Sequence, residues 1–489
     1  MSLPVSLPVV LATLTFILPL TGSIFLFRLD GRKADAVMLA MLSAVLGAQV
    51  GVLTLQRDAT LHHVYLRTSG LGEVYGVLID PMSRLIGTVV ALAGFIFMLY
   101  ATEYMTARNR GHPVGRGKGR FHAWMVMFEG ATMGFVYSST FLGMLIFFEI
   151  MGLACWGVVS YYGTEKGYRA GFKAFIIPNA GAMIGFYTVI GVGITRLHSL
   201  SLFSLHSLSP SIKPWVFLAL LVAGYTKSAQ FPFYSWIPDA MEAPTPASAF
   251  LHGAAMVEMG VYLVARVLQF IGPLPVWIFY IMAVMVSVSI LIPIINYPVQ
   301  KDAKRLLAYS TVSEAGAMFV GLTFAALGLK TGIQAAMFQL TTHAFVKGLA
   351  FLTAGTFTYS LGTLDMRRIS GLGRLEAVSW SAALLGLAGL PPMGIAFSKA
   401  AILENLGHPG LPLLAFLPAL MVLVDSAVLL WVGSGWIGRN VLGRNEDVGQ
   451  RLPGVMRLTL VLLLALSLTV AYIAYPLVRQ IGFYGVMGA

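Results

Sequence analysis

Ten ionisable side chains stand in stretches of this sequence that are otherwise apolar: Glu129, Glu149, Lys227, His252, Glu258, Glu314, His343, Lys347, Lys399 and Asp425. A charge at the centre of a bilayer costs several kcal/mol unless it is paired or hydrated. One such group reads as an anchor. A set this large, of both signs and spread over many segments, reads as a hydrated polar path. The residue types suit proton transfer, because histidine titrates near neutrality and a lysine taken out of water gives up its proton more readily. His343 and Lys347, spaced i and i+4, must share one helical face. Arg84 and Arg266 fall near the expected ends of apolar segments, where a long side chain snorkels to the interface.

Proline and glycine mark where the helices carrying two of the lysines must break. Lys227 precedes Ser228, Pro232 and Pro238, and Lys399 follows Gly386, Gly389, Pro391, Pro392 and Gly394. Proline lacks the backbone donor a helix needs, so each segment should unwind beside its lysine and leave backbone groups facing a cavity. Two interrupted segments, five spans apart and each with a lysine, form the internal-repeat pattern of a transporter. Thr245 with Pro246 reads as the cap and first turn of a fresh helix carrying His252 about two turns in.

The elements that hold these groups follow from composition. Of 489 residues 57% are hydrophobic and 11% charged, with a mean hydropathy of +0.81. That excludes a water-soluble enzyme, a disordered chain and a secreted disulfide scaffold. Cys155 is the single cysteine, too few for a disulfide, a four-cysteine zinc site or an iron–sulfur cluster. No cofactor and no metal site is expected, and any electron transfer falls to a partner.

About fourteen apolar segments of membrane-spanning length recur along the chain, near 4–27, 36–54, 82–102, 122–138, 140–160, 174–194, 214–235, 246–269, 275–297, 306–327, 332–359, 376–403, 411–436 and 458–478. Residues 55–81 are expected to form a short hairpin or cap. The first segment is too long for a cleaved signal peptide, and no long C-terminal extension is expected. Basic residues alternate by loop: about 21 fall in the odd-numbered loops, among them Arg28, Arg110, Lys166, Lys304, Arg368 and Arg444, against about 6 in the even-numbered ones. The formal charge of +12 is thus a topology signal that places both termini on the extracytoplasmic side of the plasma membrane, and nucleic acid is not an expected partner.

In order along the chain, these residues resemble the antiporter-like subunits shared by respiratory complex I, Mrp-type cation/proton antiporters and membrane-bound hydrogenases. The resemblance rests on the run from Lys227 through Pro232, Trp236, Pro238 and Asp239 to Thr245-Pro246, and on Leu251-His252-Gly-Ala-Ala-Met256. It rests also on Arg305-Leu-Leu-Ala-Tyr309-Ser-Thr-Val-Ser313, His343-Ala-Phe-Val-Lys347, Leu364-Asp365-Met-Arg-Arg368 and Gly389-Leu-Pro-Pro-Met-Gly394 with Phe397-Ser-Lys399.

The resemblance implies an all-α integral membrane protein of fourteen helices, with two inverted five-helix repeats and broken helices seven and twelve. The implied division is 1–120 for helices one to three, 121–270 for the first repeat, 271–440 for the second and 441–489 for helix fourteen. It further implies a Glu149–Lys227 pair, Lys347 with His343 as the middle of a hydrophilic axis, and Lys399 as its terminal proton site. Two positions depart from the pattern: Glu258 stands where many relatives carry lysine, and Glu314 where glutamine is common, which leaves open whether His252 takes the central role and whether sodium is carried.

The function implied is movement of H⁺, Na⁺ or both within a hetero-oligomeric membrane complex, coupled to a redox partner. A non-redox Mrp-type Na⁺/H⁺ antiporter is the alternative. A chain that itself binds quinone lacks a sequence signature here, and an inert spacer would not need so many buried charges.

Overall fold

The structure, a computed structural model, describes residues 6–56, 60–443 and 450–484; Arg444 lies outside the described residues. In chain order the helices are α1 (Leu7–Leu26), α2 (Gly31–Leu55), α3 (Pro81–Tyr104), α4 (Lys118–Tyr137), α5 (Phe141–Val159), α6 (Glu165–Val192), α7 (Lys213–Lys227), α8 (Trp236–Asp239) and α9 (Thr245–Gly253). They continue as α10 (Met256–Ile271), α11 (Val276–Asn296), α12 (Ala303–Ala326), α13 (Lys330–Leu361), α14 (Arg374–Leu387), α15 (Gly394–Glu404), α16 (Phe416–Leu442) and α17 (Gly454–Val478). Every expected span overlaps one helix or an interrupted pair. The expected hairpin is present as β1 (Leu61–Thr68) paired antiparallel with β2 (Gly72–Ile79).

Helix starts follow local chemistry. Asp30, Thr140, Thr164 and Asp302 each accept a backbone N–H in the first turn, and Asp80 forms a reciprocal capping box with Ser83, which satisfies donors that a membrane cannot. Thr245 is the first residue of α9 and not its cap; its hydroxyl lies 3.0 Å from that of Tyr104.

Among the described residues, nine helices are long and apolar enough to cross a membrane, taking α9 with α10 as one. That combined helix is wholly buried over its most apolar window, so it is the axis of the bundle. Helices α4, α12 and α13 are not among the nine. They carry Glu129, the Ser310–Glu314 run, and His343 with Lys347, which dilute their hydropathy while their lipid-free position spares them contact with hydrocarbon.

The odd-numbered loops are bonded together at one end. Gly117 donates to Asp30, Gln450 to the Arg108 carbonyl, Arg439 to the Arg367 carbonyl, and Lys304 to the Met241 and Ala243 carbonyls. The even-numbered loops, the hairpin and the segment after α17 meet at the other, through Leu202 to Ser139, Leu274 to Ala326, Tyr484 to Gln269 and Gln334 to Arg479. Parity of the basic loops is therefore a geometric fact of the bundle.

The two halves repeat a backbone device. Thr140, capping α5, forms an isolated antiparallel bridge with Ser201, and Asp302, capping α12, forms one with Asp365. The flanking bonds match: Phe141 N–H to Leu200 O and Leu202 N–H to Ser139 O in the first, Ala303 N–H to Leu364 O and Met366 N–H to Lys301 O in the second. The first bridge sits at the even-loop end and the second at the odd-loop end, the relation of an inverted pair.

Asp30 links three segments at one corner. Its carboxylate accepts from Gly31 at 2.9 Å, Gly117 at 2.9 Å and Gly119 at 3.3 Å. Partial burial pushes its pKa up, but the amides of Gly117, Gly31 and Gly119 outweigh this and hold it below the usual carboxylate value. A lowered folded-state pKa stabilises above the unfolded value and is lost as pH falls through the folded one. Asp30→Ala should cost about 1 kcal/mol at pH 7, the value of a helix cap. Thermal melts of the purified protein should show that difference shrinking below the carboxylate range.

Candidate functional site

Both breaks expected from the sequence are present and are built alike. Helix α7 ends at Lys227, and Ala229 takes the left-handed conformation at φ 50°. Helix α14 ends at Leu387, and Gly389 takes it at φ 82°. In each case the next residue bonds back to the last full turn, Gln230 N–H to Tyr225 O and Leu390 N–H to Leu385 O, the six-to-one closure of a Schellman end. Pro232 and the pair Pro391 and Pro392 lie in the non-helical linkers that follow, whereas Pro238 lies inside the short helix α8.

Lys227 and Lys399 fall on opposite sides of their breaks, Lys227 closing α7 and Lys399 in the second turn of α15. Yet the Lys399 ammonium reaches back to donate to the Leu387 carbonyl at 3.0 Å. Leu387 closes α14 as Lys227 closes α7, so the two halves present an ammonium at the same point of the fold.

Around Lys399 the contacts are dense. Its Nζ lies 2.9 Å from Glu314 Oε1 and donates to Ser426 at 3.0 Å. The other Glu314 oxygen accepts from Gln339. Gln339 in turn accepts from Ser398 at 2.5 Å, and Ser398 lies 2.8 Å from the Thr342 hydroxyl. Asp425 accepts from Tyr297 at 3.0 Å, and the Tyr297 hydroxyl is 2.7 Å from Ser313.

The middle of the molecule holds His252, Glu258, His343 and Lys347, all fully buried. His343 Nδ1 is 3.3 Å from Glu258 Oε1. Lys347 donates to Ser310 at 2.5 Å. The Thr311 hydroxyl donates to Leu307 O and so accepts from His252 Nδ1 at 3.1 Å. An interruption that the sequence did not announce separates α9 from α10 at Ala254–Ala255, placing His252 just before it and Glu258 just after. Five consecutive residues of α12, Ser310 to Glu314, thus touch Lys347, His252, Tyr297 and Lys399 through side chains, and Gln230 through the Val312 carbonyl at 3.2 Å.

The implied Glu149–Lys227 ion pair is not formed. Lys227 donates to the Phe148 carbonyl at 3.1 Å and lies 3.8 Å from the centre of the Phe148 ring, while Glu149 is partly exposed. A backbone carbonyl and an aromatic face satisfy the ammonium where a carboxylate was expected. Among the described residues Lys227 makes no direct ion pair with another charged group, and the distance to α10 and α12 is spanned by Ser228, which donates to Val257 O at 2.7 Å, and by Gln230. Glu129 is 1% exposed, sits against Gly94 of α3 and joins none of these contacts.

Arg84 and Arg266 do not snorkel: they are 2% and 1% exposed. Arg266 binds both Asp80 oxygens, at 2.5 and 3.1 Å, because Asp80 caps α3 directly opposite it. An aspartate beside Pro81 at the edge of an apolar segment was the available signal. Lys304, read as a loop charge, is 3% exposed and holds the carbonyls that precede α9. His122, 2.8 Å from Asp35, was not singled out by its spacing. Among the described residues no group of three or more His, Cys, Asp or Glu is placed to hold a metal ion.

A multi-pass helical membrane protein with a buried chain of ammonium, imidazole and carboxyl groups is the class that this fold and site define. Residues 138–425 match the family model described as NADH:quinone oxidoreductase/Mrp antiporter, TM, and the chain belongs to that family. It is 33% identical over 359 residues to an Na⁺/H⁺ antiporter subunit of Alkalihalophilus pseudofirmus, covering 69% of this chain and 44% of that protein. It is 34% identical over 353 residues to the chloroplastic NAD(P)H-quinone oxidoreductase subunit 5 of Ipomoea purpurea, covering 68% and 48%. The chain thus spans about half the length of these curated relatives.

The fold is shared with a chain of the Mrp complex from Dietzia sp., at a TM-score of 0.81 and 23% identity over 97% of this chain and 51% of that one. It is shared also with a chain of an archaeal membrane-bound sulfane sulfur reductase, at 0.82 and 21% over 96% of both.

Glu314 and Lys399 form a buried pair, and removing one partner strands the other. Glu314→Ala or Lys399→Ala alone should destabilise by about 3 kcal/mol. In a thermal double-mutant cycle, the double variant should lose clearly less than the two singles together.

Proposed function

We propose that this chain is an ion-translocating subunit of a multisubunit membrane complex, moving H⁺, Na⁺ or both along the buried axis and driven by a partner redox module. The observation that carries this reading is the continuous contact from the Lys227 break, through Ser228 and Gln230, to α12 and on to Lys347, Glu314 and Lys399.

Along such an axis each group changes charge in answer to its neighbour. A carboxylate close to an ammonium favours the charged amine; withdrawing it leaves an unpaired charge in a low dielectric, which expels the proton onward. Glu314 is the member placed to do this for Lys399, and Glu258 for His343. The chain itself carries no electrons, so the driving rearrangement comes from neighbouring membrane subunits.

The odd-loop end, rich in lysine and arginine, is the cytoplasmic one under the positive-inside rule, with both termini extracytoplasmic in the plasma membrane. A cavity of about 570 Å³ opens at that end beside Lys304, Glu242, His112 and Tyr104 and serves as the cytoplasmic vestibule. The inverted backbone bridges support 121–270 and 271–440 as the two working halves, with 1–120 and 441–489 flanking them.

A second reading, membership of a Mrp-type Na⁺/H⁺ antiporter without a redox partner, draws on the 33% identity to an Na⁺/H⁺ antiporter subunit. Isolation of the intact complex separates the two, since redox cofactors copurify only under the first.

The test is ion uptake in vesicles holding the intact complex, with pH and radiolabelled Na⁺ followed together. Lys227→Ala and Lys399→Ala, compared with wild type at matched amounts of assembled complex, should lose ion movement, and the ion that disappears identifies what is carried. Wild-type uptake in both variants would make the chain a spacer.

A further inference from the structure

The Asp80–Arg266 pair has no part in the axis described above, yet it stands on the same helix face as one of its members. Glu258, Tyr262 and Arg266 follow one another at i, i+4 and i+8 on α10 and so form a single stripe. Arg266 donates to the Tyr262 hydroxyl at 3.2 Å through Nε and also through Nη2. Tyr262 donates its own hydroxyl to the Val136 carbonyl at 2.6 Å. Asp80 also accepts from Tyr484 at 2.9 Å, and the Tyr484 hydroxyl lies 3.3 Å from that of exposed Thr60. Side chains therefore run without a break from Tyr262, beside the axis, to the surface at the even-loop end.

A short strap covers this route. After α17 the chain crosses the even-loop end, where Gln334 donates to the carbonyls of Arg479 and Ile481 at 3.0 and 2.9 Å. Tyr484 N–H donates to Gln269 O at 2.8 Å, and its ring stacks on Phe270 with centroids 4.5 Å apart. Holding Asp80 and Arg266 in the dry interior costs desolvation that a well-packed apolar pair would avoid, so the pair is weakly explained by stability alone.

We propose that Glu258, Tyr262, Arg266, Asp80 and Tyr484 form an arm that connects the central axis to the even-loop surface, with the Asp80–Arg266 ion pair as its closed gate. This rests on the ion-translocation reading and adds to it the side and the residues by which the first half communicates with the outside. Glu258 and Arg266 are about 12 Å apart along the helix, too far for direct transfer, so opening must admit water. When Arg266 swings from Asp80, a proton leaves the Glu258 carboxyl through that water and binds the freed Asp80 carboxylate. Glu258 is left as the anion and Asp80 as the neutral acid. Return of Arg266 expels the proton from Asp80 to bulk water past Thr60, and a proton drawn from the axis through His343, 3.3 Å from Glu258, refills the Glu258 carboxyl and restores the start.

The experiment uses the intact complex in vesicles and reads two quantities, driven proton movement and passive leak down an imposed pH gradient, with Lys399→Ala as the reference. Tyr262→Phe should reduce driven movement about ten-fold, the value of one lost hydrogen-bonded step, without raising the leak. Asp80→Asn and the milder Tyr484→Phe, which keeps the stacked ring, should both raise the leak. If Lys399→Ala abolishes movement while Tyr262→Phe pumps normally and Tyr484→Phe leaks no more than wild type, the arm is wrong and the ion-translocation reading survives. If Lys399→Ala also pumps normally, both fall.

Discussion

A buried ionisable group in a membrane bundle must be given fixed partners, because water is not there to supply them. That constraint organises this molecule around the Ser310–Glu314 run of α12. Its hydroxyls and one carboxylate lie within reach of a histidine, two lysines and a tyrosine drawn from α9, α13, α15 and the turn after α11. A helix so loaded fails a test of apolarity, and it is tolerated because other helices and not lipid surround it: all of these residues are buried. The polar groups and the burial therefore require each other.

The repeated construction follows from a second requirement. An ammonium in the interior needs backbone carbonyls that ordinary helix leaves occupied, and a break frees them. Lys399 takes the Leu387 carbonyl freed at the end of α14; Lys227, at the end of α7, instead shares the Phe148 carbonyl within the unbroken helix α5. The same closure serves both breaks, and the paired backbone bridges at Thr140 and Asp302 fix the starts of α5 and α12 in mirrored positions. Two inverted halves thus place one buried lysine each beside a break, and Glu314 on α12 is the acid that meets the second of them.

Much of this was legible in the sequence because it depends on local chemistry. Proline after Lys227 and before Lys399 announced the breaks, alternation of basic loops announced the parity, and i, i+4 spacing put His343 and Lys347 on one face. What escaped depends on which helices meet. Asp80 and Arg266 are far apart in the chain, so neither revealed that the other would neutralise it, and Arg266 read as a snorkelling residue. Glu149 and Lys227 were paired by family likeness, whereas the ammonium is satisfied by the Phe148 carbonyl and ring. The interruption at Ala254–Ala255 has no proline to betray it. The hub role of α12 rested on serine and threonine, which carry no charge and attract little notice in a sequence.

In the proposed ion-translocation reading, conduction between the two halves runs through α12, and the direct test removes its hydroxyls while leaving every charged group in place. Driven proton movement should be measured in vesicles carrying the intact complex with Ser310→Ala and Thr311→Val combined. Movement slowed about ten-fold or more at normal assembly is predicted, as expected for losing hydrogen bonds worth about 1 to 1.5 kcal/mol each. Movement at the wild-type rate would show that protons pass elsewhere and that α12 is not the conductor.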